Sequence, residues 1–139
     1  MKKVFVRLLF IKMLLFANVD LFAPVSSTIA ISEGYPVDPY KSLILAVGQV
    51  ETGMDTLAYN PLEEAIGYFQ IRPIRLKDYN IRTGSNYTMR DLYDYSISEK
   101  IFRYYAIKVG PYDFETIARS WNGSGTMTTD YWNRVKVLL

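Results

Sequence analysis

The chain has 139 residues, of which 50% are hydrophobic and 22% are charged, a composition typical of one globular domain. It contains no histidine and no cysteine, which excludes Ser-His-Asp catalysis, cysteine nucleophiles, disulfides and zinc sites made of imidazole and thiolate. Of its 16 basic and 14 acidic residues, four and one lie in residues 1–27, so residues 28–139 are nearly neutral and offer no basic stripe for nucleic acid.

Residues 1–27 have the pattern of a secretory signal. Lys2 and Lys3 precede a mostly apolar run, and small residues up to Ser27 provide a cleavage site. Arg7 and Lys12 interrupt that run, so its uncharged pieces are shorter than the roughly 18 residues that span a bilayer. We therefore predict that the segment targets residues 28–139 for export as one domain. The alternative is an amphipathic N-terminal helix that stays attached and touches a membrane transiently.

The first helix of that domain is predicted to run from Pro39 to Thr52. Asp38 is a typical N-cap, Pro39 suits the first helical position, and Gly53 suits the residue just after a helix. Apolar residues recur at helical spacing within the segment and define one buried stripe: Tyr40, Leu43, Ile44, Val47 and Val50.

The helical period is lost over residues 54–84. This stretch contains turn signals, and the run Ile66–Ile71 fits either a strand or a helix. We therefore predict a mainly helical, α+β fold with at most a small β-hairpin near residues 60–85.

Three further helices are predicted from their start signals. Ser96 and Glu99 have the spacing of a capping box, and Asp113 is a typical N-cap. Either Thr128 or Thr129 can cap the last helix. No repeat or linker separates these segments, so we expect them to pack as one unit.

Glu51 lies inside the apolar stripe of the first helix, four residues after Val47. Burial and the negative end of the helix dipole both disfavour the charged carboxylate there and are expected to raise its pKa. A carboxyl group that stays protonated near neutral pH can act as a general acid. The alternative is a glutamate at a frayed helix end that faces solvent or pairs with Arg72 or Arg75.

Three short motifs resemble the lytic transglycosylase and goose-type lysozyme family. They are Val50–Gly53, Gly67–Pro73 and Ala118–Gly123, and the resemblance covers about residues 39–138. It implies a lysozyme-like fold with helices around a cleft, and a peptidoglycan glycan strand as the substrate. It also implies no metal, no organic cofactor, and a location in the periplasm or cell envelope.

The resemblance assigns a role to several residues by position. Glu51 matches the general acid/base of the family, Gln70 matches an amide that lines the cleft, and Asn122 matches the asparagine of a Tyr-Asn pair. Trp121 stands where the family usually has tyrosine, so a stacking face is kept and a hydroxyl is lost. Tyr68 and Trp121 are expected to line the same cleft, although Trp121 could instead be a core aromatic and Gln70 a polar loop residue.

A second carboxylate would decide between two reactions. Transglycosylases of this family use one glutamate and release an anhydro-sugar, whereas hydrolases add an acid that activates water. Glu63 and Glu64 are the candidates for that second acid, and the alternative is that both are solvated in a loop.

A different class of function is also compatible with these motifs. The chain could be a non-catalytic envelope protein with a lysozyme-like fold that binds glycan or a protein partner. The retained Glu51 favours the enzyme, because a degenerate relative is expected to lose its acid first. No obligate protein partner is evident from the sequence.

Overall fold

The computed structural model of the protein describes residues 37–139. The predicted targeting segment at residues 1–27 lies outside the described residues, as does the start of the predicted domain. The described part of the chain contains five α-helices, one short 3-10 helix and one two-stranded sheet. The prediction of a mainly helical fold with at most a small hairpin is confirmed.

The elements follow one another with short connections. In chain order they are α1 (Lys41–Thr52), β1 (Tyr59–Asn60), β2 (Ala65–Ile66), α2 (Pro73–Thr83), a 3-10 helix (Met89–Tyr93), α3 (Tyr95–Val109), α4 (Phe114–Asn122) and α5 (Met127–Lys136). The two strands are antiparallel, with Tyr59 opposite Ile66. Within residues 37–139, no helix has both the length and the apolar character needed to cross a membrane.

Helix α1 begins two residues later than predicted and ends where predicted. The Asp38 carboxylate accepts a hydrogen bond from the Tyr40 backbone N–H at 3.0 Å, which closes a turn before the helix instead of capping it. Gly53 adopts a left-handed conformation with φ 65°, and its N–H donates to the Gln49 carbonyl. A glycine tolerates this conformation without strain, so the helix stops immediately after Thr52.

The sequence predicts no helix over residues 54–84. This prediction is wrong, because α2 lies there. Its signals were present, because Pro73 occupies the first helical turn and Gly84 follows the last one with φ 71°. Its buried side is narrow and consists of Leu76 and Tyr79. Isoleucines on its exposed side obscured the helical period (Ile74 and Ile81).

Of the three later helix starts predicted from the sequence, one is confirmed and two are wrong. Asp113 caps α4 as predicted, accepting from the Thr116 N–H at 3.0 Å. Helix α3 is capped by Asp94 and not by Ser96, whose N–H donates to Asp94 at 2.7 Å. Helix α5 begins at Met127, so Thr128 lies inside it, as does Thr129.

Aromatic rings form much of the core. The rings of Phe69 and Phe102 are stacked with centroids 4.7 Å apart, and Trp121 meets Phe102 edge-on at 4.9 Å. Helix α5 packs against both α4 and α1. This packing brings α5 against the helix that carries Glu51.

Candidate functional site

Most of the residues predicted for the site line one cavity of about 170 Å³. Its lining consists of Glu51, Glu63, Gln70, Arg72, Arg75, Trp121 and Asn122. The residues come from the end of α1, the hairpin loop, the turn between β2 and α2, the start of α2 and the end of α4. Of the predicted site residues, Tyr68 and Glu64 are not in this lining. A larger concavity of about 470 Å³ is lined by residues from the range 113–128, and none of them is a predicted site residue.

Glu51 is half-buried in the last turn of α1. Burial raises the pKa of its carboxyl group, and this effect exceeds the opposing effects of a hydrogen bond from Tyr131 and of nearby arginines. Within residues 37–139, Glu51 forms no ion pair with Arg72 or Arg75. The carboxyl group therefore has the environment expected of a general acid, and the alternative of an ion-paired glutamate does not describe it.

Tyr131 is the residue that the sequence analysis missed. Its hydroxyl donates a hydrogen bond of 2.8 Å to Oε1 of Glu51. The side chain is only 2% exposed, and burial together with the Glu51 charge raises the pKa of its hydroxyl, so the hydroxyl stays protonated at neutral pH. It therefore holds one oxygen of Glu51 and leaves the other free to exchange a proton. Its position in the apolar stripe of α5 gave no sign of this contact.

In any reaction that uses Glu51 as its acid, replacing Tyr131 by Phe should move the alkaline limb of the pH–rate profile to higher pH. The hydroxyl stabilises the Glu51 carboxylate, so its loss raises the pKa of Glu51 and keeps the acid protonated further up the pH scale. The maximal rate should fall as well, because the carboxyl group is no longer held. The measurement is kcat/KM against pH, with Tyr59→Phe on the exposed hairpin as the control. An unmoved alkaline limb would contradict the assignment.

Trp121 is both a core residue and a wall of the cavity. It is 6% exposed, and its Nε1–H donates to the Phe69 carbonyl at 3.1 Å. The guanidinium carbon of Arg75 lies 4.0 Å from the centroid of its ring. Both interpretations of this aromatic therefore apply, and its ring supports Arg75 in the cavity.

Gln70 and Asn122 provide the amides of the cavity. Gln70 has φ 49°, an unusual conformation for a residue other than glycine, and its Nε2 donates to the Gly67 carbonyl at 3.1 Å. Asn122 is the last residue of α4, and Gly123 follows it outside the helix. Gln70 therefore lines the cavity from a strained turn, and its amide nitrogen is bonded within that turn.

Tyr68 lies in the core and not in the cavity lining, so the expectation that it lines the cleft does not hold. It is 5% exposed and packs edge-on against Tyr95 at 5.0 Å. A Cβ at Gly48 would come within 1.8 Å of its ring, so the ring lies directly on the backbone of α1. Tyr68 therefore supports the helix that carries Glu51 and does not face a ligand.

The two candidate second carboxylates differ in position. Glu63 lines the cavity, but its oxygens accept two hydrogen bonds from Arg72, at 2.8 and 3.0 Å. Glu64 is exposed in the hairpin loop with φ 52° and does not reach the cavity. Glu63 is thus bound to a guanidinium, and Glu64 is solvated as the alternative expected.

Among residues 37–139, no cluster of three or more acidic side chains could hold a metal ion. No family model matches the chain, and no curated protein or solved structure matches it either. Any function proposed for the protein therefore rests on the chemistry of this cavity and on the three sequence motifs that contribute to its lining.

Proposed function

We propose that the protein is a peptidoglycan-cleaving glycosidase in which Glu51 is the general acid and base. One observation carries the proposal: a half-buried carboxyl group with a raised pKa opens into a cavity and is held by a tyrosine hydroxyl. Burial keeps such a group protonated closer to neutral pH, where it can donate a proton to a glycosidic oxygen. The amides of Gln70 and Asn122 are suited to the polar groups of an amino sugar.

The proposed reaction uses Glu51 twice. It first donates its proton to the glycosidic oxygen, so that the bond from this oxygen to the anomeric carbon breaks and the leaving sugar departs as an alcohol. The N-acetyl group of the substrate stabilises the positive charge at that carbon. The Glu51 carboxylate then removes the proton of the C6 hydroxyl, whose oxygen bonds to the anomeric carbon and closes an anhydro-sugar. The acid is regenerated, and no water is consumed.

The state of the second carboxylate favours this single-acid route over hydrolysis. A base that activates water needs a free carboxylate about 6.5–9.5 Å from the acid. Both oxygens of Glu63 are instead engaged by Arg72, and Glu64 is outside the cavity. We therefore propose a lytic transglycosylase in preference to a lysozyme, exported to the periplasm or cell envelope.

Glu63→Gln and Glu64→Gln should both retain wall cleavage. Loss of a catalytic base typically costs about 10²–10⁴-fold, so a much smaller fall is expected if neither carboxylate activates water. Mass spectrometry of the fragments released by the wild-type protein should find anhydro-sugar ends. Reducing ends, with a loss of activity in the Glu63 variant, would instead indicate a hydrolase.

The test of the proposed function is digestion of purified cell wall by the full-length protein. Clearing of a wall-containing gel, with release of glycan fragments, is the expected result. Binding to the wall without any release of fragments would favour the alternative function of a non-catalytic envelope protein.

A further inference from the structure

Arg75 is held in the cavity by aromatic rings. Its guanidinium carbon lies 4.0 Å from the Trp121 ring centroid and 5.6 Å from that of Tyr105. Cation–π contacts of this kind fix the position of a guanidinium while leaving its N–H groups available. The same cavity contains Glu51, so this cation lies within the proposed active site.

The hydrogen-bonding capacity of Arg75 is nearly unused. A guanidinium has five N–H donors. Within residues 37–139, the side chain donates one long hydrogen bond of 3.5 Å, to the Ser120 carbonyl, and has no carboxylate partner. Arg72 is different, because Glu63 accepts two hydrogen bonds from it. Of the two guanidiniums in the cavity, Arg75 is the one that can bind a further group.

The charges of the cavity point to the chemistry of that group. Arg72 and Glu63 neutralise each other, and Glu51 is biased towards its uncharged form by burial. Arg75 is also half-buried, and burial lowers the pKa of its guanidinium, although arginine stays charged in proteins. A partly desolvated cation without an ion-pair partner favours an anion, and a carboxylate matches the fork of a guanidinium with two parallel hydrogen bonds.

We propose that Arg75 is a specificity-determining residue that binds a carboxylate of the substrate. This inference rests on the proposed function, and it implies that Arg75 distinguishes carboxylate-bearing wall from neutral glycans such as chitin. A wall strand offers two sources of this group, which are the lactyl carboxylate of a sugar without a peptide and the carboxylates of the peptide itself.

The experiment compares the binding of the full-length protein to three preparations of purified wall. One is native, one has its carboxylates amidated with methylamine, and one has its peptides removed by an amidase, which leaves lactyl carboxylates. The variants are Arg75→Gln and Arg75→Lys, and Arg82→Gln is the control, because Arg82 lies on the exposed side of α2 and pairs with Asp78. Thermal unfolding by circular dichroism verifies that each variant is folded.

The wild-type protein and Arg82→Gln should bind native wall at least about ten-fold more tightly than amidated wall, as expected for a charge-assisted hydrogen bond. Arg75→Gln should lose this difference. Arg75→Lys, which keeps the charge but not the fork, should retain part of it. Tighter binding to the peptide-free wall would identify the lactyl carboxylate, and weaker binding would identify the peptide.

Equal binding of native and amidated wall by the wild-type protein would overturn the inference. A folded Arg75→Gln protein whose preference for native over amidated wall equals that of the wild type would also overturn it. If the Gln variant does not fold, the same result with a folded Arg75→Lys protein would do so. Cleavage measured in the same samples keeps the two proposals apart. If the wall is cleaved but the Arg75 variants bind it as the wild type does, only the role of Arg75 is contradicted. If binding depends on the carboxylates but no cleavage occurs, only the proposed reaction is contradicted.

Discussion

Replacing Glu51 by Gln should lower the rate of wall cleavage by at least about 10²–10⁴-fold while the domain stays folded. Glutamine has the shape of glutamate and can still accept the hydrogen bond from Tyr131, but it cannot release and regain a proton. The measurement is kcat/KM on purified wall. Glu64→Gln is the matched control, because Glu64 is an exposed glutamate outside the cavity.

The same variant should be more stable than the wild-type protein at neutral pH. The pKa of Glu51 is raised by folding, so the folded state holds this proton more tightly than the unfolded state does. The stability contributed by the wild-type carboxyl group is then fully present below its unfolded pKa and is lost as pH rises through the folded pKa. The advantage of Glu51→Gln should therefore shrink as pH falls through the folded pKa of Glu51 and should be lost below its unfolded pKa. Activity at the wild-type level in this variant would exclude Glu51 as the acid.

Replacing Trp121 by Ala should cost about 3–5 kcal/mol of unfolding free energy, the range for large-to-small changes of a buried tryptophan. The change removes ring contacts with Phe69 and Phe102 and the hydrogen bond to the Phe69 carbonyl. In a domain of this size each 1 kcal/mol lowers Tm by roughly 4–8 °C, so the fall should exceed about 10 °C. Thermal unfolding by circular dichroism is the measurement.

Replacing Trp121 by Phe separates the contribution of its ring to stability from that of its N–H group. The phenyl ring keeps much of the packing against Phe102 but cannot donate to the Phe69 carbonyl, so a smaller loss of stability is expected. If Trp121→Ala unfolded within a few degrees of the wild-type protein, the ring would be only a cavity wall and not a core residue.

Local signals in the sequence predicted a helix end correctly where no neighbouring residue could take the same role. Asp113 and Gly53 each set one helix end, because the contact that each makes lies within a few residues of the chain. Ser96 was misassigned because Asp94, two residues earlier, competes for the same cap. Helix α2 was missed because exposed isoleucines carry no information about which side of a helix is buried.

The burial of Glu51 could be predicted from the sequence, but the residues that surround it could not. Glu51 interrupts an apolar stripe on its own helix, so its burial could be inferred from spacing alone. Tyr131 has the same hydrophobic pattern as any core aromatic, and only tertiary structure brings its hydroxyl to Glu51. Tyr68 was wrongly expected to line the cleft, because a motif gives the position of a residue along the chain but not the side to which its ring turns.

The hydrogen bond between Tyr131 and Glu51 joins residues that are 80 positions apart. Closing so long a stretch of chain is a slow, non-local step in folding, and nothing within α1 alone can substitute for it. A nascent chain therefore lacks this contact until α5 has emerged and docked. After dilution from denaturant, the full alignment of Glu51 should return with the long-range docking of α5 and not with the earlier formation of local helices.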